Sequence, residues 1–318
     1  MKKYLLIPAF FITYIGHSFA QEKNYTAVDN FVKQLGPLPS LNVATIADTI
    51  TRNFVEKEDK ARAIFYWISN NIEWDLKASK TKDNKKTDPV DVIQMRKATP
   101  LGYALLVQEM CSMANIRCLT VDGYVKNNPE DINNKADEIN HSWNVVQLGQ
   151  SPDQWFYIDA AKASGYTDKK YSSFTKLFTS EYFFADKSLF NLDHYPDNHA
   201  WQLENGPKSL KEFYALPVVS NAAYKLGLRK PQPLNGFIKT KTKNSVSFGF
   251  YYNGASPIKE IMLIMGDEKK QLKPEPMNFK DNGGSVSFNF QFKRADTYPV
   301  KVVVDGKDLL QYYVEVDD

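Results

Sequence analysis

The chain has 318 residues, of which 43% are hydrophobic and 14% aromatic, so it can bury a sizeable core and is long enough for two domains. Its formal net charge at pH 7 is only +3, from 40 basic and 37 acidic residues. This near balance gives no support for a nucleic acid or an anionic surface as the partner. The two cysteines, Cys111 and Cys118, are too few for a disulfide scaffold.

Residues 1–20 have the pattern of a secretory signal. Two lysines precede an apolar run from Tyr4 to Ile15, and Ser18-Phe19-Ala20 supplies the small residues that favour cleavage before Gln21. A membrane anchor is the alternative, but the run is short for a span of about 20 residues and no charged stop-transfer flank follows it. The pattern therefore predicts a bacterial type of exported protein, periplasmic or at the cell surface, with no membrane span after cleavage near Ala20.

Residues 27–115 carry the periodicity of helices. In the stretch DKARAIFYWISNNIEWD, apolar side chains recur at helical spacing. A second helix is predicted from Pro100 to about Ala114. Between these two helices, residues 77–89 form a basic, polar stretch that we interpret as an exposed loop.

After residue 115 the apolar residues follow the pattern of strands. The runs CLTVDGYV, SWNVVQL and QWFYIDA are short, rich in Val, Ile, Trp and Tyr, and bounded by polar segments. Helices followed by strands predict an α+β domain for residues 21–232. Residues 233–318 then alternate with period two, and Asp305-Gly306 between two such runs indicates a hairpin. We expect these residues to form an antiparallel, immunoglobulin-like β-sandwich domain.

Three elements of the first domain carry candidate catalytic residues. They are the helix start ATPLGYA, the strand NHSWNVV with His141, and the strand WFYIDAA with Asp159. A histidine and an aspartate on neighbouring strands can form the orienting half of a catalytic triad. A thiol in the first turn of the helix would have a lowered pKa at the positive end of the helix dipole. The sequence has Pro100 there, which offers no nucleophilic atom.

Each side chain considered as a replacement for the thiol has a simpler structural explanation. Cys111 lies about 16 Å further along the helix than Pro100, and Cys118 begins the next element, so two buried thiols are favoured over a disulfide. Thr99 is explained as the N-cap of the helix, with proline following at N1. Ser142 is adjacent to the candidate histidine on a strand, so its side chain points to the opposite face.

In these stretches the chain resembles the transglutaminase-like superfamily, in the branch typified by kyphoscoliosis peptidase. The likeness lies in KARAIFYWISNNIEWD, RKATPLGYALLVQEMCSMANIRCLTVDGYVK, NHSWNVVQL, WFYIDAAKASG and EYFFADKSLFNLDHYPDNHAWQLENGPKSLKEFYALP, which together span about residues 50–230. The resemblance implies a papain-like α+β core with a Cys-His-Asp site, followed by an accessory β domain. It also implies that His141 and Asp159 are the family's histidine and aspartate, and that Pro100 occupies the position of its cysteine.

The sequence is therefore interpreted as a secreted, inactive homologue of transglutaminase-like cysteine peptidases. His141 and Asp159 would be a vestigial dyad, and Trp143, Gly102 and Tyr103 would line a cleft that binds a peptide or protein. One alternative is an active peptidase, amide-transfer or hydrolytic enzyme that uses the dyad with an unrecognised nucleophile. Another is a structural component of the cell envelope.

No cofactor and no metal is expected from the sequence. His194 and His199 lie five residues apart beside Asp193 and Asp197, but this segment lacks a third and fourth ligand in sequence. The family pattern explains the segment by packing.

Overall fold

The computed structural model describes residues 23–39, 41–136, 138–151, 154–254, 256–266 and 273–318, so the predicted signal at residues 1–20 lies outside the described part. Within these ranges, none of the helices has both the length and the apolar content that a membrane span requires.

Among the described residues, the part up to residue 226 contains both helices and strands, and every regular element after it is a strand. The helices are Thr26–Leu35 (α1), Val43–Thr51 (α2), Lys57–Asn71 (α3), Leu76–Thr81 (α4), Pro89–Met95 (α5), Pro100–Met113 (α6), Ala160–Ser164 (α7), Lys187–Asp193 (α8), Leu210–Ala215 (α9) and Asn221–Leu226 (α10). The strands among them are Glu73–Trp74 (β1), Lys97–Ala98 (β2), Arg117–Val125 (β3), His141–Gln147 (β4), Trp155–Ile158 (β5), Gly165–Thr167 (β6), Phe174–Lys176 (β7), His194–Pro196 (β8) and Val218–Val219 (β9). The later strands are Arg229–Gln232 (β10), Phe237–Lys241 (β11), Ser245–Tyr251 (β12), Ile261–Met265 (β13), Glu275–Pro276 (β14), Phe279–Asp281 (β15), Ser285–Gln291 (β16), Asp296–Val304 (β17) and Lys307–Asp317 (β18).

Helix α6 is the centre of the first part. It contacts β3 and β4 on one side and α2, α3 and α5 on others, which matches its apolar composition because a helix that is hydrophobic nearly all round must be buried. The sheet beside it has the order β5-β4-β3-β8 and is antiparallel throughout. Its register places Gly123 of β3 opposite His141, and Val125 opposite His194. Both histidines therefore lie at the same end of this sheet. The predicted α+β class is confirmed.

The interpretation of residues 77–89 as a loop is wrong in part. Helix α4 covers Leu76–Thr81, and its N-cap is Asp75, whose carboxylate accepts the Ala78 N–H at 2.9 Å. A short N-capped helix therefore begins within the basic stretch, because the cap satisfies one of its free N–H groups.

The last part is a sandwich of two sheets, as predicted. One sheet has the order β10-β12-β16-β15, and the other has β11-β18-β17-β13-β14 with β9 added beside β18. The pairing of β11 with β18 is parallel, and the other pairings in the two sheets are antiparallel. Asp305 and Gly306 connect β17 to β18 with φ values of 47° and 75°, which is the positive-φ pair that a tight hairpin requires.

Candidate functional site

A cluster of His141, Asp159 and His194 lies where three elements of the first part meet. His141 begins β4, Asp159 follows β5, and His194 begins β8 on the far side of β3. Each residue is 3% exposed or less. Oδ2 of Asp159 lies 2.6 Å from Nε2 of His141 and 3.0 Å from Nε2 of His194. Both imidazoles therefore share one carboxylate oxygen.

The Asp159 carboxylate is held by backbone contacts on the side away from the histidines. It is the N-cap of α7, and its Oδ1 accepts the Lys162 N–H at 2.8 Å. Burial alone would raise the pKa of Asp159, but the attraction and hydrogen bonds of His141 and His194 outweigh burial and hold that pKa well below its ordinary value. The carboxylate is therefore an anion at neutral pH, fixed in a position where it can orient both rings.

His194 is packed tightly and has one nitrogen without a hydrogen-bond partner. Its ring stacks on Phe190 with centroids 3.8 Å apart and planes 8° from parallel. Nδ1 is buried, and the nearest charged atom to it is Oδ2 of Asp193 at 3.4 Å. Burial lowers the pKa of His194 more than Asp193 and Asp159 raise it.

The backbone at the start of α6 is as predicted, but the Thr99 side chain makes a different contact from the predicted helix cap. Thr99 is the N-cap, with extended φ and ψ of −77° and 167°, and Pro100 stands at N1. The Thr99 hydroxyl does not cap the helix but donates to Oδ1 of Asn84 at 3.3 Å. Asn144 of β4 donates to the Ala104 carbonyl at 2.9 Å, which joins the first turns of α6 to the strand that carries His141.

The two thiols are free and buried, as predicted. Cys111 is fully buried and Cys118 is 8% exposed. Burial, and then the neighbouring Cys111, raise the pKa of the Cys118 thiol well above its ordinary value, so its reactive thiolate form is disfavoured. Ser142 points away from the cluster and donates to Oδ1 of Asp122 at 2.6 Å, which follows from strand alternation.

The three predicted cleft residues lie in the core. Gly102, Tyr103 and Trp143 are buried, and the Tyr103 hydroxyl donates to the Ile72 carbonyl at 2.8 Å. Trp143 fits against β3 because Gly123 has no side chain there; a Cβ would lie 2.5 Å from its ring. Their contact with a ligand stays a prediction.

Cavities of about 380 and 550 Å³ lie elsewhere in the described part of the chain. The larger of these two is lined by residues of α1, of the 180–189 segment and of the 227–229 segment.

His194 is the site residue that the sequence did not predict. The sequence predicts a packing role for both His194 and His199, whereas the structure places His194 in the cluster and His199 outside it, exposed in a 3-10 helix. The usable signal was the neighbouring Asp193, because a buried acid beside a histidine is typical of an oriented imidazole.

The fold and the cluster together indicate the class of this protein. It is a papain-like α+β domain in which a carboxylate-oriented histidine lies on a sheet beside a central helix. Residues 44–160 match the family model of the transglutaminase-like superfamily. This chain carries a transglutaminase-like domain of the kyphoscoliosis-peptidase-like branch.

Sequence similarity extends to proteins of mammals and of a fission yeast. The chain is 34% identical over 229 residues to kyphoscoliosis peptidase of Mus musculus, which covers 69% of this chain and 34% of that protein. It is 34% identical over 183 residues to kyphoscoliosis peptidase of Homo sapiens, with 57% and 27% covered. It is 29% identical over 213 residues to cytokinesis protein 3 of Schizosaccharomyces pombe, with 65% and 23% covered. The matched region thus spans about a third or less of the length of these relatives.

Proposed function

We propose that this chain is an exported transglutaminase-like protein that binds a peptide or protein segment without cleaving or transferring it. The observation that carries the proposal is Pro100 at N1 of α6. The family motif of a basic residue followed by Gly-Val-Cys-x-Gly-Tyr-Ala lies over Lys97–Ala104, KATPLGYA, so proline takes the place of the cysteine. His141 and Asp159 then remain as an oriented imidazole with no side-chain thiol to activate.

The other candidate nucleophiles are engaged elsewhere. Both thiols are buried in the core, the Ser142 hydroxyl is bonded to Asp122, and the Thr99 hydroxyl is bonded to Asn84. The active-enzyme alternative would therefore need water as the nucleophile, activated by His141.

A binding role is supported by exposed apolar side chains on segments that follow or precede the cluster residues in sequence. Ile139 stands two residues before His141 and is 46% exposed. Tyr166 and Leu177, on and just after the β6–β7 hairpin that follows α7, are 55% and 59% exposed. Apolar side chains that stay in water on the folded chain are available to contact an extended partner.

The first test is turnover by the purified chain without residues 1–20. We expect no cleavage of fluorescent casein or of peptide amides, and no amine incorporation, above the rate of a protein-free blank. The reason is that proline cannot form the thioester on which this chemistry depends. If the wild-type chain shows turnover, and His141→Ala loses it while keeping its fold by circular dichroism, the chain is an active enzyme instead.

The second test is binding of fluorescein-labelled casein, followed by fluorescence anisotropy. We expect Ile139→Ser and Tyr166→Ser each to weaken binding by about tenfold, because each removes an apolar anchor from the contact. Val55→Ser is the matched control, since Val55 is 88% exposed in the turn between α2 and α3. Equal affinities for all four proteins would remove the support for a binding surface that includes Ile139 and Tyr166.

A further inference from the structure

We infer that His141, Asp159 and His194 form a binding site for a transition-metal dication such as Zn²⁺. This inference goes beyond the proposed function and does not depend on it, because the three side chains meet whether or not a peptide binds nearby.

The ligand set and its spacing fit such an ion. One ligand atom from each residue lies within 4.8 Å of the other two. Two imidazoles and a carboxylate are the ligands of many zinc sites that keep one position open. Metal–ligand bonds of about 2.0–2.2 Å would place neighbouring ligand atoms about 3.3 Å apart. The present separations from Oδ2 of Asp159 are 2.6 and 3.0 Å, so these two pairs would have to open by less than about 1 Å.

The hydrogen bonds of a neutral His194 ring are incomplete when no ion is bound. A neutral ring that donates from Nε2 to Asp159 has only a lone pair at Nδ1. That lone pair lies 3.4 Å from Oδ2 of Asp193, so two acceptors face each other in a buried position. With a metal on Nε2, the proton moves to Nδ1 and is donated to Asp193. This carboxylate–histidine–metal arrangement is the usual way in which a metal-binding histidine is oriented.

The second carboxylate is itself held in place. Asp193 is 1% exposed and accepts hydrogen bonds from the Tyr182 and Tyr224 hydroxyls at 3.3 and 3.2 Å. Nζ of Lys162 lies 3.4 Å from its Oδ1. With His194 stacked on Phe190, both the ligand and its orienting group are fixed before an ion arrives.

One rival explanation uses no metal. A His194 ring that carries protons on both nitrogens would donate to Asp159 and Asp193 together, as a buried cation between two carboxylates. The two explanations differ in whether the protein takes up one equivalent of metal, and this can be measured directly.

The test is a metal titration of the chain without residues 1–20, after treatment with EDTA and dialysis. That chain keeps three histidines, His141, His194 and His199. Zn²⁺ uptake is measured by calorimetry and elemental analysis, and Co²⁺ serves as a spectroscopic probe of coordination. We expect one equivalent per chain, loss of binding in His194→Gln and Asp159→Asn, and unchanged binding in the exposed control His199→Gln.

Two further measurements keep the inference testable if these variants do not fold. Asp193→Asn leaves the three ligands in place and should weaken Zn²⁺ binding by about 10- to 100-fold, as loss of an orienting partner does. In the wild-type protein with ¹⁵N-labelled histidine, Zn²⁺ should shift the Nε2 signals of His141 and His194 and leave those of His199 unchanged. Absence of stoichiometric uptake by the wild-type chain, or uptake that requires only His199, would overturn the inference.

Discussion

Pro100 gives the α6 start a side chain with no nucleophilic atom and fits the helical backbone there. Proline fits N1 because the N–H that it lacks has no partner in the helix, and a cysteine can adopt the same φ and ψ. We therefore expect Pro100→Cys to fold normally and to place a thiol at the positive end of the α6 dipole, where its pKa is lowered.

The measurement is alkylation by iodoacetamide near neutral pH. The wild-type thiols are buried and should react slowly, whereas Pro100→Cys should gain one thiol that reacts about ten times faster than an ordinary exposed cysteine. Met113→Cys is the matched control, because Met113 ends the same helix and is 42% exposed at the negative end of the dipole. Equal rates for the two variants, or a Pro100→Cys rate that His141→Ala does not slow, would show that the dyad does not activate a thiol at this position.

Lys126 gives the protein a dependence of stability on pH. Its Nζ donates to the Phe213 carbonyl at 2.8 Å and lies 3.6 Å from the Phe213 ring centroid. Burial lowers the pKa of Lys126 to about 7 from its ordinary 10.5, although Asp193 opposes the shift. Between these values the unfolded chain binds more protons than the folded chain, so the free energy of unfolding rises with pH.

We expect urea unfolding to show this rise when wild type is compared with Lys126→Met. The stability of wild type relative to the variant should increase from pH 7 to 9.5 by at most about 1.4 kcal/mol per pH unit, because one proton is involved. Below pH 7 the relative stability should be level, since Lys126 is charged in both states. A relative stability that stays constant between pH 7 and 9.5 would contradict the lowered pKa.

Local sequence signals predicted two elements closely. Thr99-Pro100 and the apolar run after it fixed the start of α6, and the helix ends at Met113, one residue from the prediction. Asp305-Gly306 predicted the β17–β18 hairpin because few residue pairs tolerate positive φ at both positions. Both signals depend on neighbouring residues, so one sequence is enough to interpret them.

The rest of the site depends on contacts between residues far apart in sequence, which local sequence patterns do not predict. His194 meets Asp159 across 35 residues of chain, through a three-residue strand paired with the outer side of β3. A strand that short has too few residues to show alternation. Helix α4 differs from the prediction for another reason: the charge run at residues 77–89 is typical of a loop, but the Asp75 side chain caps a helix that begins at Leu76.

The two parts of the molecule share one hydrophobic core. Val219 of β9 pairs with Leu310 of β18, which continues the second sheet of the sandwich into the first part. Helix α10 packs on the same strand, and its Tyr224 hydroxyl donates to Asp193 beside the histidine cluster. A single cluster of buried apolar residues runs from Val28 to Val316. Unfolding of the sandwich would therefore expose apolar surface of the first part and remove a hydrogen bond from its buried polar network.

This shared core predicts that the chain without residues 1–20 unfolds in one cooperative transition. Two domains joined only by a linker would unfold independently, whereas domains that share buried apolar area lose it together. Differential scanning calorimetry should give one peak, with a calorimetric enthalpy equal to the van't Hoff enthalpy. Val219→Ser should lower the midpoint by weakening the junction itself, because Val219 is buried against the sandwich strand. Two resolved peaks in the wild-type protein would mean that the β9–β18 pairing does not couple the stability of the two parts.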